Sequence, residues 1–321
     1  MSAQMRRARF LAGIAAVTGA AACGSGNGGS LPTPTIGGVP GTLYVADSTP
    51  AVLAFTLPML QGGNEPPAAR IAGPNDTLTG PYAIAHDGAG NVYVSETTST
   101  TIKVFGAGAT GNVAPKGTLG GVNTRIPAAA PLAVDAAGDV LIPTTLGGPA
   151  ILRFAAGATG NVAPTATIAG PATTLVAPNA IALAPDGSVV VTESAGGITV
   201  FAPGASGNVA PARTLGCCTK TIPPIAVDAD GTIYAMASQR LVAFAPTATA
   251  TTPPVLMAQL QFLGVTNPVV SQLAVDAANL YVVVTSSAAV YVFAKAALDG
   301  NPLALLSGTN TTLATPIALA R

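Results

Sequence analysis

The feature that most constrains this sequence is a nine-residue phrase that it repeats. AGATGNVAP occupies residues 107–115 and returns unchanged at residues 156–164, and a looser copy, PGASGNVAP, occupies residues 203–211. The copies begin 49 and then 47 residues apart. Repetition at this period indicates a series of similar structural units that pack against one another, so it constrains the architecture before any chemistry is considered.

Each unit is predicted to contain four short strands. In the unit Pro81–Gly121, four apolar runs are separated by turn residues, and GNVAP lies between the third and the fourth run. In that turn we expect Gly to supply a positive φ, Asn to tolerate the left-handed region, and Pro to end the incoming strand. Val- and Thr-rich runs broken by Gly and Pro along the whole chain indicate an all-β fold.

Phenylalanine marks the units. Six of the eight Phe residues close the third run of a unit, which predicts one large aromatic side chain packed between each pair of neighbouring sheets. Six units of four antiparallel strands are typical of a six-bladed β-propeller. The six residues are Phe55, Phe105, Phe154, Phe201, Phe244 and Phe293.

The first and last runs of the repeat region complete each other. The first unit begins at its second strand, TLYVADS (residues 42–48), and the last run, PIALAR (residues 316–321), is a lone first strand. An open array needs distinct polar units at both of its ends. We therefore predict a ring that is closed by the C-terminal strand pairing into blade one.

The N-terminus is predicted to be an export signal. Basic residues, the apolar run FLAGIAAV and the small residues before Cys23 are typical of a signal peptide spanning residues 1–22. The AAAC ending resembles a bacterial lipobox, which implies lipidation of Cys23 and attachment to the cell envelope, at the outer membrane in a Gram-negative host. Ordinary cleavage after Ala22, which would release a soluble exported protein, is the alternative. Residues 23–40 are predicted to be a flexible Gly/Ser/Pro tether, and residues 41–321 the propeller.

Composition excludes one class of partner. Removing residues 1–22 takes three Arg from the 13 basic residues and none of the 13 acidic residues, so the mature chain is mildly acidic. Nucleic-acid binding needs a basic surface, and the sequence carries no run of Lys and Arg. We expect no nucleic-acid partner, no cofactor, a monomeric protein, and contact with the membrane through the lipid anchor only.

The repeat has a family resemblance. The pattern PxxIAVDAxGNVYVxxS…IxVF, read across the units, resembles the NHL-repeat family of six-bladed β-propellers over nearly all of residues 41–321, in the form of a bacterial exported lipoprotein. The resemblance implies the fold. The family includes binding proteins and enzymes, so function has to be argued from a site.

The candidate site lies at one mouth of the central channel. In a propeller the first strand of each blade lines the channel, and the residues two places before the apolar start of that strand lie at its mouth. The carboxylate-free set at this position predicts ligand contacts without a metal site or a catalytic residue. The polar members, which we take as candidate ligand contacts, are Tyr82, Asn179, Ser271 and Thr315, and the others are Ala130 and Pro223.

Two families of six-bladed propeller enzymes provide an alternative function. PNAIALAPDGSVVVTES (residues 178–194) is similar to a stretch of calcium-dependent gluconolactonases, and Asn179 falls where that family places a metal-binding Asn. Streptogramin lyases depend on a His with a nearby Glu, whereas His86, the single histidine here, lies beside Asp87 and is expected to be a partly exposed strand-end residue. A lactonase-like or lyase-like enzyme is therefore the alternative to a protein that is not an enzyme.

The remaining reactive groups fit repeat positions. Cys217 and Cys218 end a fourth strand. The sequence leaves two alternatives for this pair, a vicinal disulfide or two free thiols. Asp87, Asp135, Asp228 and Asp276 share a turn after the first strand and are expected to accept its backbone N–H groups. Asp47, Glu96 and Glu193 end second strands. Two roles are possible for them: hydrogen bonding within and between blades, or a mildly acidic rim.

These observations favour a binding or scaffolding function. We expect an exported, lipid-anchored propeller whose ligand is a protein or a cell-envelope glycan.

Overall fold

The computed structural model describes residues 41–57, 64–194, 196–216, 224–237, 239–262, 264–314 and 316–320. Within them the chain forms six four-stranded sheets, each antiparallel, as the sequence predicted. Outside them lie the predicted signal peptide, the predicted tether, Cys23, the Cys217–Cys218 pair and Thr315.

Blades 1 to 3 have the following strands, given from the channel outward. Blade 1 contains β24 (Pro316–Ala320), β1 (Gly41–Asp47), β2 (Ala51–Leu57) and β3 (Ala69–Ile71). Blade 2 contains β4 (Pro81–His86), β5 (Val92–Glu96), β6 (Thr101–Phe105) and β7 (Gly117–Gly120). Blade 3 contains β8 (Ala133–Val134), β9 (Val140–Thr144), β10 (Ala150–Phe154) and β11 (Ala166–Ala169).

Blades 4 to 6 repeat the arrangement. Blade 4 contains β12 (Pro178–Leu183), β13 (Val189–Glu193), β14 (Ile198–Phe201) and β15 (Arg213–Leu215). Blade 5 contains β16 (Ile225–Val227), β17 (Ile233–Ala237), β18 (Arg240–Phe244) and β19 (Leu256–Ala258). Blade 6 contains β20 (Val270–Val275), β21 (Asn279–Val284), β22 (Ala289–Ala294) and β23 (Ala304–Leu306).

The helices are single 3₁₀ turns in the connections. They span Val122–Thr124, Pro171–Thr173, Thr285–Ser287, Lys295–Ala297 and Thr309–Thr311. Within the described part of the chain, no helix has the length and hydrophobicity that crossing a bilayer requires.

The ring closes through the C-terminal strand. β24 pairs antiparallel with β1, with Ala320 opposite Tyr44 and Ala318 opposite Ala46. The inner strands β24, β4, β8, β12, β16 and β20 contact one another in that order, and β20 contacts β24 again. The predicted closure of blade one by the last strand is confirmed.

The core consists of six separate clusters, one between each pair of adjacent blades. Phe105, for example, packs with Val52 and Ile71 of blade 1, and Phe154 packs with Tyr93 and Leu119 of blade 2. Each of the six repeat Phe residues is fully buried, which confirms their predicted place between sheets. Burial of a Phe side chain contributes about 1.5–3 kcal/mol, so these contacts stabilise the ring at every interface.

The repeated phrase joins neighbouring blades. In each copy the second Gly pairs with the outer strand of the preceding blade: Gly111 with Ile71, Gly160 with Leu119, and Gly207 with Ile168. The Asn that follows this Gly was expected to tolerate the left-handed region, and it does not adopt it, because the positive φ values in the phrase belong to Gly108, Gly111 and their counterparts.

The Asn side chain has a different task. Its Oδ1 accepts a hydrogen bond from a backbone N–H in the connection that leaves the preceding blade, at 2.7–2.8 Å. Asn64 does the same for the connection that leaves blade 6. The bonds are Asn112 to Asn75, Asn161 to Asn123, Asn208 to Ala172, and Asn64 to Asn310.

Candidate functional site

The strand order gives the ring two different faces. We call the side on which the inner strands begin the upper face. It carries the connections that lead into each inner strand and the turns between the second and third strands. The lower face is the side on which the inner strands end, and it carries the turns between the first and second strands and the start of the connections between the third and fourth strands. The GNVAP part of those connections runs along the outer strand of the preceding blade and reaches the connection that leaves that blade.

Three predicted contact residues lie in β-bulges at the upper mouth of the channel. The register of the inner strands shifts between Pro81 and Ile84, between Pro178 and Ile181, and between Val270 and Gln272, so that Tyr82, Asn179 and Ser271 lie within the shifts. A bulge leaves a residue out of the ladder and redirects its side chain.

Side chains of the second strands hold two of these bulges. The hydroxyl of Ser95 accepts the N–H of Ala83, and the hydroxyl of Thr192 accepts the N–H of Ala180, each at 3.1 Å. These bonds satisfy backbone groups that the irregular ladder leaves unpaired. Because Ala83 and Ala180 directly follow Tyr82 and Asn179, these hydrogen bonds also hold the backbone at Tyr82 and Asn179 in place.

Carboxylates hold the connections that precede the inner strands. Glu96 Oε1 accepts the N–H of Thr79 at 2.6 Å, and Glu193 Oε2 accepts the N–H of Ala177 at 2.8 Å. Asp47 Oδ2 accepts the N–H of Ala314 at 3.0 Å. Asp47, Glu96 and Glu193 are buried, so the interpretation as an acidic rim is wrong and the hydrogen-bonding interpretation is confirmed.

Glu96 is also half of a buried ion pair. The ammonium group of Lys103 lies 2.7 Å from Glu96 Oε2 and also donates to the carbonyl oxygen of Thr77. Burial raises the pKa of the Glu96 carboxyl. The hydrogen bond from Lys103, the N–H of Thr79 and the charge of Lys103 lower the pKa further than burial raises it, so it lies below its ordinary value.

The predicted residues surround one cavity. Tyr82, Asn179 and Ser271 line a space of about 130 Å³ at the upper mouth, together with Gln272 and apolar residues of the inner strands. All three side chains are half-buried. They come from blades 2, 4 and 6, so the sequence prediction brings together residues nearly 200 positions apart. The polar groups that the three present are two hydroxyls and a carboxamide, each able to donate and to accept a hydrogen bond.

Exposed aliphatic residues share the upper face. Val122, Val176 and Val269 lie in connections that lead to inner strands, and Leu146 lies in a turn between second and third strands. Their exposed fractions are 85, 68, 57 and 48%, respectively. Four carboxylates at the ends of second strands or in the connections to inner strands are more than nine-tenths buried: Asp47, Asp76, Glu96 and Glu193. Asp299, which accepts the N–H of Gln259 at 3.3 Å in the connection to β20, is exposed.

The lower face is different in charge. The turn acids accept backbone N–H groups as predicted; Asp135 Oδ1, for example, accepts those of Ala137 and Asp139 at 3.0 and 2.9 Å. Asp186 and Asp230 are exposed there. His86 is half-buried at the end of β4, with its ring centroid 5.8 Å from that of Tyr44, which confirms the expected strand-end position.

Within the residues that the structure describes, no group of three His, Cys, Asp or Glu side chains is arranged to hold a metal ion. The residues that share the upper cavity with Asn179 have hydroxyl, carboxamide or apolar side chains.

Comparison with known proteins gives the fold. No protein-family model and no curated protein matches the chain. A chain from the crystal structure of a nidogen/laminin complex matches with a TM-score of 0.60 and 14% identity, over 87% of this chain and 97% of that chain.

Two bacterial proteins of unknown function match as well. The one from Bacteroides caccae has a TM-score of 0.56 and 12% identity, over 88% of this chain and 98% of that chain. The one from Desulfotomaculum acetoxidans DSM 771 has a TM-score of 0.56 and 15% identity, over 84% and 96%. At these identities the matches support the six-bladed propeller fold and carry no activity with them.

The exposed aliphatic residues of the upper face were not among the predicted contact residues. Val122, Val176 and Val269 lie in connections that also contain Ile126, Leu175 and Leu260. The latter three are buried, so the sequence of the connections does not distinguish exposed from buried aliphatic residues.

Proposed function

We propose that the protein is an exported, lipid-anchored binding module of the NHL-like propeller type, and that it binds a partner protein at the upper mouth of its channel. The observation that carries the proposal is the meeting of Tyr82, Asn179 and Ser271 around one cavity, on a face that exposes aliphatic side chains. The repeat pattern and the propeller architecture support the NHL-like type.

The chemistry of the mouth favours an uncharged polar group of the partner. The Tyr82 and Ser271 hydroxyls and the Asn179 carboxamide carry no charge near neutral pH. A charged group that entered the cavity would lose hydration without meeting an opposite charge. The space is close to the roughly 150 Å³ that holds a benzene-sized group, so it fits one side chain of a partner, such as Asn, Gln or Thr.

The exposed aliphatic residues of the upper face favour a protein over a glycan. Exposed apolar patches on a folded protein mark surfaces where a partner removes them from water. Val122, Val176 and Val269 would face apolar side chains of a protein, whereas the hydroxyl groups of a glycan would be left without hydrogen-bond partners beside them. Binding fits this set of groups better than acid–base chemistry, which depends on side chains that titrate near the working pH.

The predicted anchor leaves the upper face accessible. β1 begins at Gly41 on the lower face, beside the end of β24, so the predicted tether joins the ring there. A lipid on Cys23 would therefore be attached to the ring at the lower face, on the side away from the upper mouth. The substitution Cys23→Ser is expected to abolish fatty-acid labelling and release the protein from membranes, and unchanged membrane association would contradict the anchor.

Site-directed photo-crosslinking tests the binding surface. A photoreactive phenylalanine analogue is placed at Val176 on the upper face or at Val255 on the outer edge of blade 5, in the full chain in the cells that make it. The two positions have nearly equal exposure, 68 and 65%, so Val255 is a matched control.

We expect a discrete protein adduct from position 176 that position 255 does not give. Mass spectrometry of the adduct separates a protein from a glycan. A glycan adduct, equal adducts from both positions, or none from position 176 would contradict the proposal.

A further inference from the structure

A second cavity lies between blades 2 and 3, apart from the channel. Its volume is about 360 Å³, and none of its lining residues lines the upper mouth. It is bounded by the three outer strands of blade 2 and by the AGATG part of the repeated phrase in blade 3. Cavities of about 300–1,000 Å³ are the size that small-molecule sites have.

The walls are mostly apolar. Ile102, Leu119 and Val140 are almost fully buried and line the space. Opposite the blade 2 residues, blade 3 contributes the small residues Gly157 and Ala158, so the two sheets do not fill the gap between them. A 150 Å³ apolar cavity is enough for benzene, so roughly 360 Å³ accommodates a molecule of one to two rings.

One end of the cavity is polar. The Tyr93 hydroxyl donates to Asp87 Oδ2 at 3.1 Å, and the Asn91 amide donates to the same oxygen at 2.6 Å. Asp87 Oδ1 accepts the N–H groups of Ala89 and Asn91, both at 2.9 Å, so this carboxylate already has a donor for each of its bonding directions. The groups left for a ligand at this end are the lone pairs of the Tyr93 hydroxyl and of the Asn91 side-chain oxygen, Oδ1.

The state of Tyr93 follows from its surroundings. Burial raises the pKa of Tyr93 to about 12, together with the hydrogen bond to Asp87 and the charges of Asp87, Asp135 and Asp139. Tyr93 therefore remains a neutral phenol at physiological pH and accepts a hydrogen bond while it donates one to Asp87.

Charges of both signs surround the cavity. Lys116 lines it on the blade 2 side, and Asp87 lines it at the polar end, with Asp135 and Asp139 acting on Tyr93 from blade 3. Arg153 pairs with Asp139 at 3.2 Å. A ligand anion would therefore be attracted by Lys116 and repelled by Asp87 and Asp135, and a cation would meet the opposite charges around a carboxylate, Asp87, whose oxygens already accept four hydrogen bonds. An uncharged ligand avoids both costs.

We propose that this cavity binds a small, uncharged, mainly apolar molecule of one or two rings that carries a single hydroxyl or amide group. The apolar part packs between Leu119, Val140 and Ala158, and the polar group donates to the Tyr93 hydroxyl or to the side-chain oxygen of Asn91. This site is independent of the partner proposed for the upper mouth.

The neighbouring interface supplies a matched control. A cavity of about 180 Å³ lies between blades 1 and 2, with Ala109 at the position that Ala158 has in the larger one and Tyr44 at the position of Tyr93. Ala109 and Ala158 are both half-buried in the same part of the repeated phrase. Filling either one with Phe makes the same change in two spaces of different size.

The test uses 2-naphthol as the probe, with binding to the full chain measured by calorimetry. We expect one saturable site. Ala158→Phe should weaken binding by at least about tenfold because the ring occupies the space, while Ala109→Phe should change it by less than about twofold because the sites are separate. Tyr93→Phe should weaken 2-naphthol binding by roughly three- to tenfold and leave naphthalene binding unchanged, since one hydrogen bond is lost.

Several outcomes would overturn the proposal. They are the absence of saturable binding, unchanged affinity in a folded Ala158→Phe variant, and tighter binding of 2-naphthoate than of 2-naphthol. If Ala158→Phe does not fold, a crystal of the wild type soaked in 6-bromo-2-naphthol decides the matter by the bromine anomalous signal. A signal between blades 2 and 3 supports the site, and a signal elsewhere or none contradicts it.

Discussion

The side-chain Oδ1 of Asn161 lies 2.6 Å from the point where a β-carbon of Gly121 would stand. The same oxygen accepts the N–H of Asn123 at 2.7 Å, so the Asn side chain occupies the space that only a Gly leaves open. Gly73 with Asn112, Gly170 with Asn208, and Gly308 with Asn64 show the same relationship. Three of these contacts join positions about 40 residues apart, and the fourth joins the last blade to the first, so four interfaces of the ring are fixed in this way.

The Gly121–Asn161 contact predicts a specific order of stabilities. Gly121→Ala should lower the free energy of unfolding by about 2–4 kcal/mol, because an Ala is strained at φ 123° and displaces the Asn161 side chain. Gly157→Ala, at φ 74° with no atom near the new β-carbon, should cost only about 1–2 kcal/mol. Urea denaturation measures both values.

The double variant separates overlap from backbone strain. In Gly121→Ala with Asn161→Ala the overlap is gone, so its cost should be smaller than the sum of the two single costs. Strict additivity would show that the two residues are not coupled in this way.

Closure of the ring predicts a large effect from a short deletion. Removing residues 316–321 takes the inner neighbour from β1 and uncovers buried apolar surface, including the position of Ala318. Exposed strand edges with apolar faces associate with other chains, so we expect aggregation and rapid proteolysis. Deleting the equally long segment 24–29 of the predicted tether is the control and should change neither. Size-exclusion chromatography that finds both deletions equally monomeric would contradict the role of β24.

Much of this architecture could be predicted from the sequence because each unit repeats the same local pattern of strands and turns. One Phe per unit and one turn per unit fix the number of blades, and the split first unit fixes the closure. Tyr82, Asn179 and Ser271 could be grouped because equivalent positions of a ring converge on its axis.

Other features depend on contacts between units and were not predictable from one unit. The role of Asn161 is invisible in its own turn, because its partner Asn123 belongs to the preceding blade. The cavity beside Ala158 results from small residues that meet across two sheets, and no local pattern marks it. Glu96 can be buried because Lys103 neutralises its charge. Lys103 lies on the adjacent strand, so the residues next to Glu96 in the sequence do not indicate this pairing.

The Glu96–Lys103 pair predicts a pH-dependent effect. The pKa of Glu96 is lowered in the folded protein, so the stability that it contributes is present above its unfolded pKa of about 4.3 and is lost as the pH falls through the folded value. Lys103→Met leaves a buried carboxylate without its counter-ion and should cost about 3–5 kcal/mol at pH 7. This loss of unfolding free energy should become smaller toward pH 4, because Glu96 without its counter-ion is protonated more readily in the variant than in the wild type.

Urea unfolding at pH 7, 5 and 4 checks this dependence. Lys116→Met, at an exposed lysine, is the control and should show a small effect that does not change with pH. If the difference between the wild type and Lys103→Met is the same at all three pH values, Glu96 does not titrate as proposed.

A calcium titration tests the enzyme alternative at Asn179. We expect no calcium-dependent rise of the melting temperature in the wild type and no turnover of a panel of lactones. A bound ion at about 100 times its Kd would add roughly 2.7 kcal/mol to the stability, which such a titration detects easily. A shift in the wild type that Asn179→Ala abolishes would favour the metal-dependent lactonase over the binding module.

The most direct measurement of the central claim is the affinity of the crosslinked partner for variants of the two faces. Asn179→Leu and Tyr82→Ala remove hydrogen-bonding groups at the upper mouth, and we expect each to weaken binding by about tenfold or more. Asp186→Ala and Asp230→Ala change exposed residues of the lower face and should alter the affinity by less than about twofold. Full affinity in the upper-face variants, with loss in the lower-face variants, would contradict the proposal that the upper mouth is the binding site.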